Sequence, residues 1–359
     1  MVLLDVPFIP APDYIAYLTQ QAASIYSIHF SLFSRTIPDG RHPDHGWQFP
    51  ELAAGLTEIS GVKKYALLNS RFHHPRFYAD REFINPLLKN IDHLLCDNNL
   101  DGITLVDFYL LQALSDHSPE LAAQLEAVPG VNCMLDSLDQ ISSYLEIIER
   151  SHFRAPTKLN LDRSLNRNLE PLSSLSSRLK KSYPGLKLTL LANEGCLLNC
   201  PFKFSHDAQI AFANTGCAAN ETYNANNLLG CIRILREHPE QLFKSPFIRP
   251  EDVDGYEGLI DIIKLCGRTL GPDFLMRVTA AYKNRQYRGN LLELMDTMEW
   301  LQHTLYVDNS AIPANFLNII AGCNKKCSSC DYCRRLLKQT SHDRPLSLKR
   351  VPADHIRPA

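Results

Sequence analysis

Residues 186–220 read LKLTLLANEGCLLNCPFKFSHDAQIAFANTGCAAN, and the fold class follows from them. Leu186–Leu191 is an apolar run of strand length and composition. It ends near Ala192, and Asn193, Glu194 and Gly195 turn the chain. Cys196, Cys200 and Cys217 follow at once. Thiols placed just beyond the C-terminal end of a strand sit where barrel enzymes keep their chemistry.

On either side of this segment the same rhythm recurs. Apolar, strand-like runs are expected at Tyr26–Phe33, Lys64–Leu68, Gly102–Val106, Val131–Leu135, Thr157–Leu161, Pro246–Ile248 and Leu259–Leu265, besides Leu186–Leu191. Stretches of helical period lie between most of them, such as Ile84–Leu95 and Leu138–Ile148. Eight strands alternating with helices predict an α/β protein built as a (β/α)8 TIM-like barrel over residues 1–270. Helices at Asp273–Asn284 and Leu291–Leu305 then form a C-terminal helical extension, 271–340, that carries a cysteine-rich loop. Residues 341–359 are polar and basic and read as a flexible tail. Ser34–Pro50, rich in His, Pro, Gly and Asp, reads as a loop over a site.

The chain has 359 residues, 45% hydrophobic and 21% charged, with a net charge of -2. No global field therefore draws it to nucleic acid or membrane. The start, MVLLDVP, lacks a basic region and a sustained apolar run, and no stretch approaches the ~18 apolar residues of a membrane span. A cytoplasmic protein with reduced thiols is the expectation. Eleven cysteines are then too many for plain packing, and nine lie between Cys196 and Cys333. Such clustering points to metal. No GxGxxG or GxxxxGK[ST] phosphate loop is present.

Residues 323–333 read CNKKCSSCDYC, four thiols within eleven residues. Closely spaced cysteines of this kind hold iron–sulfur clusters. A four-cysteine zinc site is the alternative, although zinc knuckles come as two separated C-x2-C pairs. Cys323, Cys327, Cys330 and Cys333 are thus expected to ligate one [4Fe–4S] cluster. Cys196, Cys200 and Cys217 are expected to bind metal at the barrel mouth, with Cys231 or Cys266 as candidates to complete that site, giving one or two clusters in all. Cys96 and Cys133 read as core residues.

Three passages carry a family resemblance. Leu165-Asn166-Arg167-Asn168-Leu169 precedes a helix and the strand leading to Gly195-Cys196. Cys200 and Cys217 lie seventeen positions apart, with Ala213-Asn214 before the second. Arg249-Pro250-Glu251-Asp252 leads to Ile263-Lys264-Leu265-Cys266-Gly267-Arg268 and then Ala280-Ala281-Tyr282. In these respects residues 155–290 resemble the collagenase-like peptidase U-32 family. The resemblance implies a barrel and an iron–sulfur protein of oxygen-independent hydroxylation or related oxidoreductase chemistry. Its substrate would be a small molecule or an RNA-borne group, and its partners would include a subunit of the same family. The chain departs from the pattern in its short Cys196–Cys200 gap, in lacking a cysteine near Val253, in having Cys266 where a Glu is usual, and in carrying the C-terminal run.

Candidate catalytic groups are Glu194 as a base at the strand-end turn, His206 as an acid/base or ligand, Asp162 beyond the fifth strand, and Arg268 as an anion binder. Asn160 and Arg163 accompany Asp162, and His42, His45, His73 and His74 lie on the first loops. A non-catalytic iron–sulfur scaffold or electron-transfer subunit is the rival reading. A protease has least support, since no Ser–His–Asp order and no HExxH is evident.

Overall fold

The computed structural model describes residues 2–32, 39, 46–215 and 225–344. Eight parallel strands form a nearly closed barrel: β1 (Leu3–Pro7), β2 (Ile25–Phe30), β3 (Lys63–Leu68), β4 (Gly102–Leu105), β5 (Glu126–Pro129), β6 (Lys158–Asn160), β7 (Lys187–Leu191) and β8 (Ile262–Lys264). Their order is β5-β4-β3-β2-β1-β8-β7-β6, with every neighbouring pair parallel. The expected (β/α)8 architecture is therefore present. The remaining seam, between β5 and β6, is stitched by a bridge from Glu126 to Arg154 and by Asn160 Nδ2 donating to the Pro129 carbonyl at 2.8 Å.

Strand membership differs from the expectation at both ends. β1 lies within the N-terminal stretch, where Asp5 interrupts the apolar run; Asp5 is fully buried and pairs with barrel lysines. The run Val131–Leu135 is not a strand, because Val131–Cys133 makes a 3-10 turn just beyond β5. Pro246–Ile248 stays outside the sheet, although the Ile248 N–H reaches the Ala192 carbonyl at 2.9 Å. Inserting β1 between β2 and β8 keeps the total at eight and makes Leu186–Leu191 part of the seventh strand.

The helix Arg81–Cys96 forms where the apolar period and its start signal agree: Asp80 accepts from the N–H groups of Glu82 and Phe83. Leu138–Glu149 and Pro272–Asn284 also form as read. Leu291–Leu305 does not become a helix. It breaks into 3-10 turns at Leu291–Leu294 and Glu299–His303, followed by β9 (Leu305–Val307). Asn290 Oδ1 accepts from the N–H groups of both Leu292 and Val307, folding the segment back on itself. β9 pairs with β10 (Ser341–Asp343), so the start of the expected tail is a strand.

Two cores result. The larger fills and surrounds the barrel and includes Phe274, Val278 and Tyr282 of the helix Pro272–Asn284. The smaller joins Leu235, Leu242, Phe243 and Phe247, from the β7–β8 connection, to residues between Leu291 and Leu336. This packing holds the connection after β7 against the extension. Cys133 is in the core, its thiol pushed up to about 12 by burial, whereas Cys96 is exposed, because it ends its helix past the buried stripe Ile84–Leu87–Ile91–Leu94. Among the described residues, no helix is long and apolar enough to cross a membrane.

Candidate active site

The strand ends converge on a cavity of about 320 Å³. Beyond β7, Asn193 is fully buried and acts as a clasp. Its Nδ2 donates to the carbonyls of Cys266 and Leu294 at 3.0 Å each, and its Oδ1 accepts the Cys266 N–H at 2.8 Å. One amide thus fixes the exits of β7 and β8 and the extension together. Gly195 follows, and a side chain there has no room: a Cβ would stand 2.3 Å from Met298 Cγ. Gly195→Ala is therefore expected to cost about 1–3 kcal/mol through overpacking, readable as a lowered urea midpoint; an unchanged midpoint would show that Met298 can move aside. Beyond β8, Gly267 adopts φ +116 and faces Phe274, so the turn to Arg268 also needs glycine.

Arg163 gathers the β7 exit. It forms an ion pair with Glu194, donates to Cys196 Sγ at 3.5 Å and to Asn132 Oδ1 at 2.8 Å. Glu194 is thereby an ion-pair partner facing the cavity. Arg268 is buried, paired with Asp39 and donating to Ser31 Oγ at 3.1 Å, so its charge is already matched by a carboxylate of the first long loop. His206 lies on the helix Lys203–Asn214, lines the cavity and shares a 2.7 Å hydrogen bond through Nε2 with Asn226 Nδ2. Asp162 is the exception among the candidates. It does not line the cavity but caps the following 3-10 turn, accepting from the Ser164 N–H at 2.8 Å. Asn160 does not line the cavity either, and its Nδ2 serves the β5–β6 seam. His73 is buried against Asp107 at 2.9 Å, His74 meets the Arg76 N–H at 3.2 Å, and His42 and His45 lie outside the described residues.

Cys196, Cys200, Cys231 and Cys266 all line this cavity, and Cys217 lies outside the described residues. Burial raises the Cys231 thiol, and the neighbouring Cys200 raises it further, so these two are close enough to sense each other's charge. Cys323, Cys327, Cys330 and Cys333 share a second, larger cavity in the extension. The first three are exposed. Burial pushes the Cys333 thiol up to about 11; Lys244 opposes this, and the other three thiols add to it. Among the described residues no three His, Cys, Asp or Glu side chains are gathered tightly enough to hold a metal ion as they stand.

The floor of the mouth carries a charged group that the motif reading missed. Asp5 Oδ2 accepts from Lys158 Nζ at 2.9 Å and from Lys264 Nζ at 2.8 Å, while its Oδ1 meets His29 Nδ1 at 2.9 Å. Lys264 and His29 line the cavity. Burial alone would raise the Asp5 carboxyl, but Lys158, Lys264 and His29 outweigh it and hold it well below the usual range. Burial and Lys264 drop His29 to about 3, so its ring is neutral. Burial lowers Lys158 to about 8 against the pull of Asp5, and lowers Lys264 as well. The available signal was a single Asp, His or Lys in each of four short strands: Asp5 in LLDVP, His29 in IYSIHF, Lys158 in KLN and Lys264 in IIK. Buried ionisable groups need partners, so those on β1 and its neighbours β2 and β8 should meet, and Lys158 of β6 reaches Asp5 across the barrel interior.

No family model matches the chain. The "Uncharacterized protease MJ1657" of Methanocaldococcus jannaschii is 32% identical over 255 residues, covering 70% of this chain and 68% of that protein. The solved structure of the U32 peptidase Mk0906 aligns with a TM-score of 0.47 at 15% identity, over 74% of this chain and 93% of that one. A relative this similar over two thirds of both proteins shows the family, and the chain belongs to the collagenase-like U32 family.

Proposed function

We propose that this chain is an iron–sulfur enzyme that modifies a small molecule or an RNA-borne group at the barrel mouth, with a second, four-cysteine centre in its extension. One observation carries the reading: Cys196, Cys200 and Cys231 share a cavity with the Arg163–Glu194 pair, His206 and the Lys264–His29 floor. A cavity of about 320 Å³ suits a small substrate or a single flipped-out group.

The donor sets fit the group. Both are thiol-rich, which selects soft metals and iron–sulfur clusters. In the extension, Cys323, Cys327, Cys330 and Cys333 line one cavity, and the Cys333 thiol is raised in part by the other three. At the mouth, Cys196 already accepts an N–H from Arg163, and Cys200 and Cys231 interact. Cys217 is the third ligand expected from sequence. A cluster held there by three cysteines supplies, when bound, one iron open to substrate. The chain does the rest. Arg163 holds Glu194 and Cys196 in fixed relation, Lys264 presents a cation to an anionic substrate group, and His206, steadied by Asn226, is the acid–base candidate.

A partner subunit at this mouth is favoured by a second observation. Phe204 and Leu228, on helices that border the cavity, and Leu229 in the turn that follows, are 67%, 66% and 72% exposed. Large apolar side chains exposed beside the cavity suit a protein contact. Peptide hydrolysis, which the relative's name suggests, has less behind it. Asp107 holds His73 Nδ1, but His73 Nε2 is buried and, among the described residues, has no hydrogen-bond partner.

Anaerobically purified protein is expected to be brown and to carry about eight irons and eight acid-labile sulfides per chain, as two [4Fe–4S] clusters require. About four irons would leave one centre. A colourless protein holding a single zinc would overturn the reading.

A further inference from the structure

Arg167 is 1% exposed, among the largest fully buried side chains in the protein. Its guanidinium lies 4.9 Å from the Phe247 ring centre and 5.3 Å from that of Phe316, and its Nε donates to the Ser245 carbonyl at 2.8 Å. Nη2 is buried with no hydrogen-bond partner. Among the described residues no carboxylate forms an ion pair with it. Arg249, which also lies over Phe316, shows the usual solution: Asp252 grips it with two hydrogen bonds of 2.8 Å. Asp252 attracts Arg167 through space, but that carboxylate is already gripped by Arg249, and a buried guanidinium with no carboxylate of its own is disfavoured, so a counter-charge is called for.

Arg167 lines the same cavity as Cys323, Cys327, Cys330 and Cys333, and the cysteine loop is tied to its neighbour, with Lys325 Nζ donating to Asn168 Oδ1 at 2.8 Å. Four neutral thiols offer no charge. Four thiolates around a doubly positive metal core, whether a [4Fe–4S] cluster or zinc, carry a net charge of about -2. We propose that Arg167 is the buried counter-charge of a metal–thiolate centre held by these four cysteines, a positioning residue that stabilises the loaded site. The proposal rests on reading the four cysteines as a metal centre. The cavity is also lined by Lys244, Lys326 and Arg334, with Glu240 and Asp331 paired to Arg334 and Arg335, so Arg167 is the buried cation of this lining, and it has no ion-pair partner of its own among the described residues.

The test compares the parent with Arg167→Met, Arg167→Gln and Arg167→Lys after reconstitution with ferrous iron and sulfide. Iron retained at the C-terminal site under chelator challenge is measured as the difference from the same protein carrying Cys330→Ala. Each stripped protein is also melted. The neutral variants are expected to hold this metal at least about tenfold more weakly, the usual effect of removing an outer-shell partner. The charge-conserving variant, Arg167→Lys, should stay within a few-fold of the parent. In the stripped protein the sign should reverse, with Arg167→Met melting no lower than the parent, since it deletes an unmatched charge. A purely structural arginine would lower the melting temperature in both states and leave retention unchanged, which overturns the role of Arg167 alone. If Arg167→Met does not fold, Arg167→Gln gives the same reading. A parent whose metal content is unaffected by Cys330→Ala has no metal at this site, which overturns the metal reading and the proposal with it.

Discussion

Replacing Asp5 by alanine is expected to cost about 3–5 kcal/mol of stability at pH 7, because the change leaves buried charges uncompensated. Asp5 is the only carboxylate that Lys158 and Lys264 contact among the described residues, at 2.9 and 2.8 Å, and all three are buried in the barrel. Urea unfolding measures the loss, and a cost below about 1 kcal/mol would mean that water reaches the lysines and replaces the carboxylate. The pH dependence follows from the directions of the shifts. The Asp5 carboxyl is lowered on folding, so the stability it supplies is complete above its unfolded value of about 3.9 and is lost as acid passes below that value toward the folded one. Lys158 is lowered to about 8 on folding, against an unfolded value near 10.4. Between those values the unfolded chain binds more protons, so the wild-type protein should gain stability as pH rises from about 8 to about 10. In Asp5→Ala that gain should begin at lower pH, since the lysines lose the neighbour that keeps them charged.

Cys330→Ala is expected to remove about half of the iron and leave the remaining cluster's spectrum unchanged. The reason is spatial separation. Cys323, Cys327, Cys330 and Cys333 line one cavity, and Cys196, Cys200, Cys231 and Cys266 line another, with no cysteine in both among the described residues. Three of the C-terminal thiols are exposed and lie on a short loop, so losing one should not unfold the barrel. Iron and sulfide analysis with visible absorption decides the outcome. Loss of all iron from a still-folded protein would mean one centre that draws ligands from both segments.

The two cavities also show how far the residues could be read without the fold. The alternation of apolar runs with helical periods was legible because each barrel strand must be apolar and each covering helix amphipathic. The thiols after Leu191 were legible because they follow a strand end. β1 escaped because its central residue is a charge, and a charge in a strand reads as solvent-facing unless its partners are known. The helix expected over Leu291–Leu305 failed for a related reason. Its apolar residues include Leu291, Leu292, Leu294, Met295, Met298 and Leu301, all buried, and Asn290 and Asn193 take up backbone groups of Leu292, Leu294 and Leu305 that a helix would otherwise engage. Asp162 was placed correctly beyond a strand, yet its local use as a cap keeps it out of the cavity.

Chain order alone sufficed for the barrel class, the position of the β7 exit and the grouping of thiols, because these depend on residues near one another in sequence. The packed barrel was needed to show that Asp5, His29, Lys158 and Lys264, spread over 259 positions between Asp5 and Lys264, close into one buried network. It was needed equally to show that Asp39 takes up the charge of Arg268, that Asn193 locks three segments, and that Arg167 lies unmatched beside the cysteine loop. One cause is common to all of them. A charge or amide buried in a barrel is satisfied by whichever strand lies next to it in space, and chain order carries no record of that neighbour.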